Sequence, residues 1–268
     1  MVILPPVVPP LPVDKPYARR LAAGAPFDWL RAGWRDLRTD PGPSLLHGLF
    51  VFLLSALIIA GLIGFGWDYA LFPAIAGFLV FAPTLAIGLY AKSRALEQGK
   101  PVSLRQMLLP QAAAGGQVLF TGALLCGVML LWLRAAVIIY AIFFGVQPFP
   151  GLDYIAPMLF TTPIGLAMLA VGTLVGGLFA AFSFAISAFS IPMMLDQRVD
   201  ALTAMGTSWA LVVNNLRVML VWAAIVLALF LLSVVSGLLG LVIVFPWLGH
   251  ATWHAYRAVR LTPGPHGA

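Results

Sequence analysis

The stretch SLLHGLFVFLLSALIIAGLIGFG, residues 44–66, runs for 23 positions without a charged side chain. At 1.5 Å per residue such a helix is about 34 Å long, enough to cross the roughly 30 Å hydrocarbon core of a bilayer. In lipid every backbone N–H and C=O must be satisfied within the segment, which a helix achieves by itself. The stretch therefore reads as a transmembrane helix.

Further apolar segments cover about residues 70–91, 115–145, 162–195, 216–236 and 238–256. Only Ser236-Gly237 separates the last two, and one helix of about 40 residues is too long for a single crossing, so a tight hairpin at Gly237 or Gly240 is expected. Composition agrees. Of 268 residues 62% are hydrophobic and 9% charged, where a soluble domain carries about a quarter charged. The expected fold is all-α: a six-helix transmembrane bundle of in-out-in hairpins with short amphipathic interfacial helices, forming one domain over residues 26–260. A Pro-rich disordered tail, 1–25, precedes it and a short one, 261–268, follows. The tail begins MVILPPVVPPLPVDKP, without the basic start of a signal peptide.

Orientation follows from the basic residues. Lys15, Arg19, Arg20, Arg31, Arg35 and Arg38 precede the first span, and Lys92, Arg94, Lys100 and Arg105 lie between the second and third. Arg198 and Arg217 lie between the fourth and fifth, and Arg257 and Arg260 follow the sixth. Fourteen of fifteen thus fall on one side, while the opposite loops carry Asp68 and Asp153. This predicts a multi-pass membrane protein with both termini cytoplasmic. The net charge of +6 serves topology, and no nucleic-acid partner is expected. Cys126, the single cysteine, reads as an inert small hydrophobe.

The first and last hairpins look alike. Trp34 and Asp40 have the spacing of Trp209 and Asn215, and FAPTLAIGLYAKSR aligns with VFPWLGHATWHAYR. Pro83, Tyr90 and Arg94 fall opposite Pro246, Trp253 and Arg257. Each proline is expected to kink its helix mid-membrane, each aromatic to sit at the interface, and each arginine to reach headgroups. Ser103 and Gln106, at capping-box spacing, open a candidate middle copy.

Three features could carry chemistry or association. His250 and His254 share one face of the last span, and His47 opens the first, so three imidazoles could converge and bind haem or metal. The plainer reading is interfacial polar residues, and no cofactor is expected. Arg134 lies inside LLWLRAAVIIYAIFF, as an intramembrane or interfacial charge; counted from Gly115 it falls near the outer headgroups, within reach of Asp68 or Asp153. A small-residue stripe, Gly172, Gly176, Ala180 and Ser183, holds one face of the fourth span and permits close helix approach, inside the chain or against a partner. Phe179, Phe182 and Phe184 are assigned to lipid. There is no P-loop, G-x-S-x-G or H-E-x-x-H motif, and no carboxylate lies well inside a span, so a catalytic role is not expected.

AGWRDLRTDPGPSLLHG, DQRVDALTAMGTSW and PWLGHATWHAYR resemble a bacterial family catalogued as domain of unknown function 2189, a predicted integral membrane family, over about residues 25–260. Some members carry a label linking them to cytochrome c oxidase subunit I. A haem–copper catalytic subunit needs an adjacent pair of ligand histidines, and the four histidines here include none. The label implies at most an accessory subunit of a respiratory or other electron-transfer complex. The resulting expectation is a non-catalytic protein of the bacterial inner membrane associating with lipids and with another integral membrane protein. A small-molecule or lipid transporter or channel is the first alternative. A haem- or metal-binding protein using His250 and His254 is the second.

Overall fold

The computed structural model describes residues 16–19, 21–101, 103–145 and 151–260. The proposed tails over 1–25 and 261–268 thus lie mostly outside the described residues. The elements are α1 (Ala25–Arg38), α2 (Pro41–Gly64), α3 (Leu71–Leu85), α4 (Ile87–Glu97), α5 (Leu104–Leu108), α6 (Gly115–Phe144), α7 (Leu152–Thr161), α8 (Pro163–Ser187), α9 (Ser190–Asp196), α10 (Ala201–Asn214), α11 (Leu216–Val235) and α12 (Leu241–Val259). No strand occurs among the described residues. The protein is an all-α membrane protein.

Five segments are long and apolar enough to cross a membrane: Pro41–Gly64, Leu71–Glu97, Gly115–Phe144, Pro163–Asp196 and Leu216–Val235. The sixth expected span, α12, is 19 residues long and more polar. Its side chains explain the difference. Pro246, Gly249, His250, Ala251, Trp253, Ala255 and Tyr256 are all buried against the chain itself, so this helix has no need of a lipid-compatible surface. Between α11 and α12 the expected tight turn is present, with Gly237 at φ 65 and Leu238 at φ 67.

The short helices have clear causes. In α1, Pro26 and Asp28 occupy the first turn and Arg35 and Arg38 the last, while Trp29, Ala32, Gly33 and Leu37 line one buried stripe. Ser103 and Gln106 form a complete capping box on α5. Asp200 caps α10 by accepting from the Thr203 N–H at 2.9 Å.

A short helix followed by two long ones recurs three times: α1, α2, α3–α4; then α5, α6, α8–α9; then α10, α11, α12. Each opening helix lies on the second long helix of the preceding unit in a cyclic order. Helix α5 packs on α4, α10 on α8 and α9, and α1 closes the ring on α12. Asp40 and Asn215, paired by the sequence comparison, both stand at the junction between a unit's short helix and its first span.

The prolines behave differently from one another. Helix α3 ends two residues after Pro83, whereas α12 continues through Pro246. A proline frees the carbonyl four residues earlier. For Pro246 this is the Val242 carbonyl, and Gly48 of α2 lies directly on it; a Cβ there would collide with that oxygen and sit 3.0 Å from the Pro246 Cδ. The second and fourth spans are likewise each built of two helices, broken at Ala86 and at Ala188–Phe189.

Most apolar surface of the spans faces outward. The tight core gathers at the end bearing α1, α5 and α10, around Trp29, Leu89, Tyr90, Met107, Phe189, Met194, Trp222 and Trp253.

Candidate functional site

A chain of buried polar side chains crosses this core, where α1, α2, α4 and α12 meet. Lys92 on α4 is 1% exposed. Its ammonium donates to the Asp40 carbonyl at 2.6 Å and to the Ser44 hydroxyl at 2.8 Å. The Ser44 oxygen lies 2.9 Å from His250 Nε2, and the Ser93 oxygen 2.8 Å from His250 Nδ1. Ser93 donates to the Asp36 carboxylate at 2.6 Å, which also receives His254 Nε2 at 2.8 Å.

The protons in this chain are fixed from both ends. An ammonium only donates, so Ser44 accepts from Lys92 and gives its own proton to His250 Nε2. Ser93 spends its proton on Asp36, so it accepts from His250 Nδ1–H. Both ends require the same neutral tautomer of His250, with its proton on Nδ1. Burial pushes the Asp36 carboxyl up, but the hydrogen bonds from His254 and Ser93 outweigh it, and the group is held below the usual carboxylate range.

Backbone conformation supports the arrangement. Asp40 has φ 53, the left-handed region, and this turns its carbonyl toward Lys92 as the chain enters α2. Glycines let the helices close around the chain. A Cβ at Gly33 would lie 2.5 Å from the Ala251 nitrogen, and one at Gly249 would lie 2.6 Å from Leu89 Cδ1.

Two of the three histidines share this network, and the third lies beside it. His47 stands apart from the hydrogen-bonded chain, its Nε2 2.9 Å from the Leu85 carbonyl. That carbonyl is freed by the break between α3 and α4, because Leu89 N donates to Ala86 instead. Both nitrogens of His250 are taken up by serines, so a metal could bind there only by displacing one of them. Among the described residues no three His, Cys, Asp or Glu side chains are grouped to hold a metal ion.

The structure corrects several readings of individual side chains. Tyr90 and Trp253, expected at the membrane interface, are 2% and 0% exposed. Arg94 and Arg257, expected to reach headgroups, are held by the protein: Arg94 by the Leu195 and Gln111 carbonyls, Arg257 by Glu97 at 3.1 Å. Phe179 packs on Trp132, and Phe184 is half-buried in a central cavity; Phe182 is exposed. Arg134 is exposed on α6, and the side chains of its expected partners Asp68 and Asp153 lie outside the described residues. Along α8, Gly176 abuts the Trp132 ring and Ser183 is 1% exposed, so this part of the stripe faces the chain's own interior. Ala180 is half-buried, and Gly172 has open space beside it. Cys126 is exposed.

Asp36, Ser44, Lys92 and Ser93 were not singled out by the sequence. Lys92 reads as a loop charge there, because the second span was ended at residue 91. The helix runs on to Glu97 and takes Lys92 inside.

Neither the curated proteins nor the solved structures contain a match. A family model does match, over residues 71–196, from α3 to α9. That stretch holds the second to fourth spans and meets the three motifs quoted above only at Asp196. The family is described as "Predicted integral membrane protein (DUF2189)", and over those residues the chain is similar to it.

Proposed function

We propose that the chain is a non-catalytic protein of the bacterial inner membrane that crosses six times, keeps both termini in the cytoplasm, and associates laterally with another integral membrane protein. Its role is that of an accessory subunit of a membrane complex, respiratory or otherwise electron-transferring.

The observation that supports this is the uncovered face of α8. Only 6% of the most apolar window of its span is buried by the rest of the chain, the lowest share among the five spans. On that helix Gly172 and Gly177 have nothing within 4 Å of where a Cβ would stand. Lipid tails are as apolar as leucine, so a helix leaves lipid for protein only where close approach adds contact, and small residues permit that approach. The polar side chains of the chain from Lys92 to Asp36 are engaged in holding helices together, as expected of a scaffold.

Cysteine placed at Gly172 or Gly177 in a Cys126→Ser background tests this by crosslinking in native membranes. The expected result is one discrete heteromeric product, lost in Gly172→Leu and Gly177→Leu chains whose thermal stability in detergent is unchanged. Crosslinks to lipid alone, or a product indifferent to both leucines, would overturn the reading.

A further inference from the structure

We propose that a cavity at the centre of the helix ring binds an uncharged, single-tailed amphiphile taken from the bilayer, with a hydroxyl or carbonyl head. This goes beyond lateral association and stands on different residues.

The cavity has a volume of about 100 Å³ and lies between α3, α4, α8, α11 and α12. A single water needs about 10–15 Å³ on the same measure, so there is room for a slender molecule. Its two ends differ. Toward the α11–α12 turn it is lined by an aromatic cluster, with the Phe78 ring stacked on Phe230 at 5.4 Å and edge-on to Phe245 at 6.1 Å. Toward α10 it is lined by Tyr90, Ser187 and Thr252. Thr252 is committed to the Leu248 carbonyl at 2.8 Å. Ser187 is 1% exposed, and its hydroxyl has no hydrogen-bond partner among the described residues. Tyr90 is 2% exposed, and no hydrogen bond to its hydroxyl is found among the described residues.

A buried hydroxyl without a partner is uncommon, because desolvation is then uncompensated. One such group, Ser187, beside the Tyr90 hydroxyl at the same end of an apolar cavity defines a ligand with one hydrogen-bonding head and an apolar tail. No lysine, arginine, histidine or carboxylate lines the cavity, so a charged head would find no counter-charge. A bilayer lipid component enters in the matching direction, since the hydroxyl end lies at the end of the bundle bearing the short helices and the aromatic end toward mid-membrane.

The test uses the full chain in mild detergent with a diazirine-bearing long-chain alcohol as photoprobe, and mass spectrometry to locate the label. Labelling is expected on α3, α11 and α12 around Phe78, Phe230 and Phe245. Ser187→Ala and Tyr90→Phe keep the volume and remove the hydroxyls; each should lower labelling about three- to tenfold, the range of one hydrogen bond, without loss of thermal stability. Val226→Trp, which fills the cavity, should abolish it. Label confined to outward residues such as Leu53 and Leu57, or cavity label unchanged in both hydroxyl variants, would overturn the proposal. The same diazirine chain ending in a carboxylate should label less; equal labelling would overturn the uncharged head.

Discussion

Replacing Ser44 and Ser93 by alanine, singly and together, tests whether the chain from Lys92 to Asp36 acts as one unit. Both serines bond the same imidazole, one at 2.9 Å to Nε2 and the other at 2.8 Å to Nδ1. Ser93→Ala leaves a buried N–H of His250 without an acceptor and removes a donor to Asp36. Ser44→Ala leaves the Nε2 lone pair bare and leaves Lys92 with the Asp40 carbonyl alone. An unsatisfied buried polar group costs about 1–3 kcal/mol, so each single variant should lose about 2–3 kcal/mol. For a domain of this size each kcal/mol moves the midpoint by about 2–4 °C, so thermal unfolding in detergent should fall by roughly 4–12 °C. The double variant should lose less than the sum. Once one serine is gone the ring is free to turn and to change tautomer, and the second loss meets an imidazole already out of place. Residues sharing a partner couple by about 0.5–3 kcal/mol, and about 1 kcal/mol is expected here. The assay is unfolding by SDS titration in mixed micelles, read by tryptophan fluorescence. Single losses below about 0.5 kcal/mol, or additivity within that margin, would refute the fixed proton arrangement.

Acid should act through Asp36. Its folded pKa is depressed, so its contribution is complete above the unfolded value of about 4 and is lost as pH falls through the folded one; the midpoint should drop below about pH 4, and Asp36→Asn should flatten that acid limb. Gly33→Val drives a side chain into the Ala251 backbone and should cost about 3 kcal/mol, whereas Gly172→Val, beside open space, should change stability by less than about 0.5 kcal/mol in detergent. Gly176→Leu meets the Trp132 ring 2.8 Å from its Cβ and should lower the midpoint of the isolated chain. Reporter fusions after Gly237 and after Arg260 should report opposite sides of the membrane; the same side at both would mean that α12 does not cross.

The fold was legible because lipid imposes a blunt rule on composition. Residues 44–66, 115–145 and 216–236 hold few strongly polar side chains, namely His47, Gln117, Arg134 and Arg217, of which only Arg134 is far from the start of its segment, so their length alone marks them. Helix α12 shows where that rule weakens. Its hydropathy is lowered by His250, Thr252, Trp253 and His254, residues that suit a helix covered by α1, α2 and α4 rather than by lipid. The repeat was legible in the junction residues Asp40 and Asn215, but not in Pro83 and Pro246, where one helix ends and the other continues. Its cyclic closure was not, because no local pattern states that α1 should pair with a helix more than 200 residues away.

The polar site was hidden by a correct rule applied to surface residues alone. Basic residues near span ends mark topology, and the sequence offers no sign that some of them also turn inward. Yet helix ends leave carbonyls without partners, and at a membrane boundary packed with protein there is little water to satisfy them. The same arginines and lysines meet that need. Arg94 donates to the Leu195 carbonyl near the end of α9, and Arg19 to the Val259 carbonyl at the end of α12. Lys92 does so for Asp40 at the α1–α2 junction. Two of these bonds join different parts of the ring, unit one to unit two through Arg94 and the segment before α1 to unit three through Arg19, while Lys92 ties two helix ends within unit one. A charge that is long, donor-rich and confined to one side of the membrane is thus suited both to fix orientation and to tie the ends of the helices together. Removing Arg94 or Arg19 should therefore loosen the ring at a joint between its parts rather than shift the depth of a span.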